Sequence, residues 1–211
     1  MATPLPQILS NLHAAAEAAG RPDPRLLAVS KTQPAEAVAA LAAQGQQAFG
    51  ENYVQEALAK MQALQHLALE WHLIGHLQSN KADAVATHFD WVQSVDRPKL
   101  VTALARHRPA ARGPLNVLIQ VNIDDESSKH GCAPEDVEGL AAAIAAEPTL
   151  RLRGLMAIPA PWPEAERRRD AFVRMRTLFQ SLAAQHAQVD TLSMGMSSDY
   201  AEAIAEGATL V

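Results

Sequence analysis

Cysteine is nearly absent. Cys132 stands alone, which excludes a disulfide within the chain. No apolar run approaches the roughly 20 residues that a membrane-spanning helix needs. The first residues, MATPLPQILSNLHAAAEAAG, lack the basic start and apolar stretch of a secretory signal. Positive charge is short too: 18 Lys and Arg against 23 Asp and Glu give a formal net charge of -5, so no global field draws the chain to nucleic acid or anionic lipid. These absences predict a soluble, cytoplasmic protein with neither nucleic acid nor membrane as a partner. No linker or low-complexity tract divides the sequence, and its 211 residues, 48% hydrophobic and 19% charged, are enough for one domain over 1–211 to bury a full-sized core.

What the sequence does contain is alternation. Short β-like runs at Leu26 to Lys31, Gln47 to Asn52, Leu69 to Gly75, Phe89 to Asp96, Leu115 to Ile123, Leu150 to Ile158, Asp190 to Met196 and Ala208 to Val211 are separated by helix-like stretches, the pattern of βαβ units. Val137, Leu140, Ala141 and Ile144 recur at helical spacing, as do Phe172, Met175, Phe179 and Leu182, and these stripes are core. Pro34, Pro98 and Pro134 mark first helical turns, where a missing N–H costs little. Leu5 to Ala19 reads as an extra Ala-rich helix, with residues 1–25 forming a lead-in to the first strand. Eight strands alternating with helices, and no Gly-rich dinucleotide fingerprint after any of them, fit an α/β fold of the (β/α)₈ TIM-barrel type better than an open doubly wound sheet.

In such a barrel the site lies at the C-terminal strand ends. The first strand ends in Ala28-Val29-Ser30-Lys31-Thr32, and a lysine there, partly desolvated, keeps some neutral amine able to attack a carbonyl carbon. Position alone leaves open a strand-end lysine that simply reaches solvent. After the seventh strand, Ser193-Met194-Gly195-Met196-Ser197-Ser198-Asp199 runs into a predicted helix at Tyr200 to Ala205. Gly195 lets backbone approach an anion, Ser193, Ser197 and Ser198 offer hydroxyl donors, and the helix N-terminus favours negative charge. Ser197 or Ser198 as a helix cap is the plainer alternative, and the two roles can coexist. An amine at one strand end and a phosphate cradle at another suit a ligand with both an aldehyde and a phosphate, which describes pyridoxal 5′-phosphate.

Four segments then carry a resemblance. Ala28 to Thr32, Phe49-Gly50-Glu51-Asn52-Tyr53-Val54-Gln55-Glu56, Trp71-His72-Leu73-Ile74-Gly75-His76-Leu77-Gln78-Ser79-Asn80-Lys81 and Ser193 to Asp199 resemble, in order, the signature blocks of the pyridoxal phosphate homeostasis protein family. The resemblance implies the barrel half of the alanine racemase class (fold type III) without its β-domain, with Lys31 forming the internal aldimine as a Schiff base. It places Asn52, His72 and Gly75 near the cofactor; by position alone Asn52 is equally a turn residue and His72 a barrel filler. Lys129, in Ser127-Ser128-Lys129-His130-Gly131, matches a loop near the barrel mouth, where a second cation assists cofactor exchange, or is a solvated loop lysine. The chain departs from many relatives at Gln33, where a second lysine is frequent, and at His76, where proline is frequent.

His130 and Cys132 stand two apart, but no further Cys or clustered His completes a ligand set, so no metal is expected. Arg167, Arg168 and Arg169, flanked by Glu164, Glu166 and Asp170, read as a solvated face with local ion pairs. Racemisation needs a second acid/base opposite the lysine. In racemases that resemble this fold that group is a tyrosine from the additional domain of a partner subunit, and only Tyr53 and Tyr200 exist here. The expectation is therefore a carrier of pyridoxal phosphate, not an enzyme, with apoenzymes as recipients and assembly as a monomer or weak dimer; a racemase-like enzyme is the alternative. Relatives continue from the eighth strand with an Arg-x-Gly-Thr/Ser segment that nothing after Ala208 matches, so the C-terminal end of the barrel is expected to be incomplete.

Overall fold

The computed structural model describes residues 4–126 and 129–211; Ser127 and Ser128, in the loop quoted with Lys129, lie outside the described residues. In chain order the elements are α1 (Leu5–Ala19), β1 (Ala28–Val29), α2 (Ala35–Ala42), β2 (Ala48–Glu51), α3 (Val54–Ala63), β3 (Glu70–Leu73), α4 (Ala82–His88), β4 (Trp91–Val95), α5 (Pro98–His107), β5 (Leu115–Gln120), α6 (Val137–Ala145), β6 (Leu150–Met156), α7 (Ala165–Gln185), β7 (Thr191–Ser193) and α8 (Tyr200–Ala205). The strands form one sheet in sequence order, β1 to β7. Pairing is parallel where its register is defined, as in Ala28 with Phe49, Phe49 with Trp71, and Gly154 with Thr191. Every residue of β2 and of β4 is buried, as expected for parallel strands with helical crossovers.

The chain clusters into two compact units. One comprises residues 27–118 and 139–152. Its core includes Phe49, Leu73, Phe89, Leu100, Leu104 and Leu118, each no more than 1% exposed. Full burial of each stabilises by about 1.5 to 3 kcal/mol. The Phe49 and Trp71 rings meet at 5.9 Å across β2 and β3. The Arg108 guanidinium donates to the carbonyls of Ala86 and Phe89, acceptors that the end of α4 leaves without helical partners, and to that of Gly113, at 2.8 to 2.9 Å.

The other unit comprises residues up to 26, 119–138 and 153–211. Leu12 and Ala16 of α1 pack on Ile204 of α8, with Ile8, Leu26 and Tyr200 around them. α1 ends where expected, because Gly20 adopts the left-handed conformation (φ 63°) and the Arg21 N–H returns to the Ala16 carbonyl at 2.9 Å. Among the described residues, Arg168 and Arg169 of the arginine run pair beyond their own helix. Arg168 binds Glu202 at 3.0 Å, and Arg169 binds the buried Glu206 at 2.9 Å, with Arg176 on the other Glu206 oxygen. The face that the charge run assigns to solvent is thus partly committed to α8.

Ala208 to Val211 is another expectation that the structure alters. No strand forms there; Leu210 alone makes parallel bridges, to Ser193 on one side and to Arg25 on the other. α8 runs to Ala205 and Gly207 turns the chain at φ 93°, so few residues have straightened before the pairing begins. Among the described residues, no helix is long and apolar enough to cross a membrane.

Candidate functional site

Lys31 lies two residues beyond the end of β1 and is exposed, while Ser30 before it is buried. The peptide groups around it are tied down. The Ser30 N–H donates to the Gly50 carbonyl at 2.9 Å, the Ser30 carbonyl accepts from Lys60 Nζ at 2.6 Å, and the Thr32 N–H donates to Glu56 Oε1 at 2.6 Å. Thr32 is left-handed at φ 61°. A β-branched residue in that region costs on the order of 1 to 3 kcal/mol and persists only where its surroundings impose it.

Those surroundings are a buried ion cluster that sequence reasoning missed. Lys60 Nζ, on α3, donates to Glu51 Oε1 at 2.7 Å and Glu56 Oε1 at 2.6 Å as well as to Ser30, which uses all three ammonium hydrogens. The Ser30 hydroxyl donates to the same Glu51 oxygen at 2.6 Å. Glu51 is 0% exposed and Lys60 5%. Burial pulls the Lys60 pKa down, but its bonds to Glu51 and Glu56 outweigh this and hold it above the ordinary lysine value. The bond from Lys60 lowers the Glu56 carboxyl below its usual range, against the pull of burial and with help from the Thr32 N–H.

Asn52 follows β2, with its Oδ1 buried and accepting no hydrogen bond. A Cβ on Gly75 would stand 2.2 Å from the Asn52 carbonyl oxygen, so only glycine lets the two backbones approach here. His72 is fully buried within β3. Its ring stacks on Trp91 at 5.1 Å, Nδ1 accepts from the Gln93 amide at 2.9 Å, and Nε2 lies 2.7 Å from Glu70 Oε1. Both ring nitrogens are thus engaged within the strands, the geometry of a histidine that fills and orders its layer.

In the other unit, Ser193 is buried at the end of β7, and Gly195 follows at φ 97°. A Cβ on Gly195 would meet that of Ala203 at 2.7 Å, so the glycine is required by the close pass of this loop over α8. Ser197 and Ser198 are exposed. Neither caps α8: the N-cap is Asp199, whose carboxylate accepts from the Met196 N–H at 2.6 Å. The two serine hydroxyls are thus not spent on the helix. Lys129 donates to the carbonyls of Ile158 and Pro159, both at 3.1 Å, and pairs with Glu126 at 2.8 Å, which makes it a tie between two loops.

Chemically, one unit offers an amine on a braced strand end and a buried amide oxygen near the end of the next strand. The other offers a glycine turn flanked by hydroxyls. An aldehyde-bearing ligand with a polar ring fits the first set, and an oxyanion fits the second.

The chain matches the family described as alanine racemase, N-terminal domain, over residues 4–211. It is 53% identical over 208 residues to the pyridoxal phosphate homeostasis protein of Pseudomonas aeruginosa, covering 97% of this chain and 89% of that one. It is 50% identical over 212 residues to the protein of the same name from Escherichia coli K12, covering 98% and 91%. Among solved structures, PipY of Synechococcus elongatus with pyridoxal phosphate bound superposes with a TM-score of 0.81 at 36% identity, covering 96% of this chain and 95% of that one.

Proposed function

Because the chain belongs to the pyridoxal phosphate homeostasis protein family, within the alanine racemase N-terminal domain class, we propose that it binds pyridoxal phosphate and carries it within the cytoplasm without turning over a substrate. Pyridoxal phosphate supplies an aldehyde that condenses with a primary amine, releasing water, and a phosphate that anion-binding groups hold. Lys31 is the amine in this reading. The observation that carries it is the bracing of the peptide groups on both sides of an exposed lysine at the C-terminal end of β1. A fixed backbone leaves the amine only its side-chain torsions to order, and that pre-paid positioning favours addition to a carbonyl.

Asn52 Oδ1, buried without a partner, is satisfied by a ligand hydrogen-bond donor in this assignment. Ser193, Gly195 and Ser197 take the phosphate through hydroxyls and a backbone that no side chain obstructs. His72 belongs to the cofactor site at one remove, holding Trp91 and Gln93 in place. The finer architectural reading is a single cofactor-binding (β/α)₈ barrel domain over 1–211, supported by the position of Leu210 between Ser193 and Arg25, where an eighth strand belongs.

The carrier reading over the racemase one is supported by the tyrosines. Tyr200 packs on the Leu12, Ala16 and Ile204 cluster, and Tyr53 is 61% exposed at the start of α3, so neither is held as a buried acid/base. Recipient apoenzymes and a monomeric or weakly dimeric state complete the proposal. Borohydride reduction of the protein incubated with pyridoxal phosphate, followed by peptide mass mapping, should place the pyridoxyl group on Lys31. A label found mainly on Lys81 or Lys129 would reject the assignment.

A further inference from the structure

Lys60 sits on α3 at the i+4 position from Glu56, where an exposed helical pair would be unremarkable. Its burial makes it otherwise. A lysine taken out of water between two carboxylates contributes little net stability compared with an apolar side chain of similar size. What such a side chain would lack is the third bond, from Nζ to the Ser30 carbonyl. That carbonyl belongs to the peptide that enters Lys31. The peptide that leaves Lys31 donates through the Thr32 N–H to Glu56 Oε1, the same oxygen that binds Lys60. One ammonium therefore controls both flanks of Lys31, one directly and one through a carboxylate. Thr32, bonded to Glu56, is in a left-handed conformation that threonine seldom adopts unaided.

We propose that Lys60 is a positioning residue for Lys31: through Ser30 and Glu56 it fixes the Ser30-Lys31-Thr32 turn and so aims the Lys31 amine. The inference rests on Lys31 being the amine that takes the cofactor aldehyde, and it concerns how fast and in what orientation that amine meets its target. Glu51 completes the device from beneath. Fully buried at the end of β2, it binds Lys60 and the Ser30 hydroxyl through one oxygen, which seats the ammonium against the sheet. Lys60 itself touches neither aldehyde nor phosphate in this scheme.

The test is a stopped-flow and circular-dichroism comparison of full-length Lys60→Met, Glu56→Ala, Thr32→Gly and the double variants with the parent, using pyridoxal phosphate as the probe. Lys60→Met should slow the appearance of the visible absorption band by about tenfold, the scale expected when an attacking group is displaced by a fraction of an ångström. It should also weaken the induced dichroism of the bound chromophore. Inhibition by inorganic phosphate should not change. Thr32→Gly in either background should restore much of the rate, because glycine adopts the left-handed turn without help; a role confined to global stability gives no such rescue. Where Lys60→Met does not fold, Glu56→Ala, on a partly exposed residue, carries the same test. Parental rates and dichroism in Lys60→Met or Glu56→Ala, or an equal loss that Thr32→Gly leaves untouched, would overturn the proposal. Lys31→Ala serves as the separate control: a band that survives it refutes the reading of Lys31 itself, whatever Lys60 does.

Discussion

The His72 imidazole lies flat on the Trp91 indole, with ring planes 8° apart and centroids 5.1 Å apart. Gln93 and Glu70 take its two nitrogens, so the ring is fixed on its edge as well as its face. His72→Leu keeps the volume but removes a partner from two polar groups. It should lower stability by about 2 kcal/mol, read as a shift of the urea midpoint. Affinity for pyridoxal phosphate should fall less than tenfold. A larger loss of affinity with unchanged stability would mean direct contact with the cofactor.

Ser193 and Ser197 carry the phosphate prediction. Hydrogen bonds to charged groups contribute about 1.5 to 3 kcal/mol, so the double replacement by alanine should weaken pyridoxal phosphate binding at least about tenfold. Pyridoxal, which lacks the phosphate, should bind the variant and the parent alike. Equal losses for both ligands would argue against the assignment.

Asp190 and Arg153 provide a pH dependence. Burial raises the Asp190 pKa, but the Arg153 guanidinium at 2.7 Å and the Thr191 hydroxyl outweigh it and leave the carboxyl below its usual range. A depressed folded-state pKa contributes stability that is present above the unfolded value and disappears as pH falls through the folded one. Asp190 is more than half exposed, so water screens the pair to less than about 1 kcal/mol. Asp190→Asn should therefore be slightly less stable than the parent at neutral pH. The gap should close in acid, below the ordinary aspartate range. A gap that persists or widens in acid would show that charge is not its source.

Turnover is the remaining prediction. Racemisation of alanine or serine, assayed with saturating cofactor by chiral chromatography, should stay near the rate of free pyridoxal phosphate. Robust activity that depends on Lys31 would restore the enzyme reading, and its loss on replacing Tyr53 would name the second acid/base.

The alternation of apolar runs with helical stripes made seven strands legible, and the helices at Leu5–Ala19 and Tyr200–Ala205 were found at their observed limits. Strand ends were overdrawn. Leu26 to Lys31 shrinks to Ala28–Val29, because Arg25 bonds to the chain around Leu210 and Lys31 already belongs to a turn. The exposed place of Lys31 just past an apolar strand was legible. Lys60 was not, since a Glu and a Lys four apart on a helix look the same in solvent as above a buried carboxylate. Only the packing of α3 back on the end of β2 places Glu51 beneath it. Asp199 was hidden for a related reason: three neighbouring residues compete for one helix cap, and backbone geometry chooses between them.

The unit that contains α1 is assembled from three separated stretches, residues up to 26, 119–138 and 153–211, whereas residues 27–118 supply most of the other. On a ribosome, which delivers the chain from its N-terminus, the second unit emerges nearly whole while α1 still lacks Ile204, its packing partner from the far end of the sequence. Contacts between positions so far apart close late and slowly. Synthesis should therefore pass through a stage in which the segment bearing Lys31 is already ordered and the serines after β7 have yet to be made. Pulse proteolysis of stalled nascent chains would follow that order directly: protection of residues 27–118 should precede protection of α1.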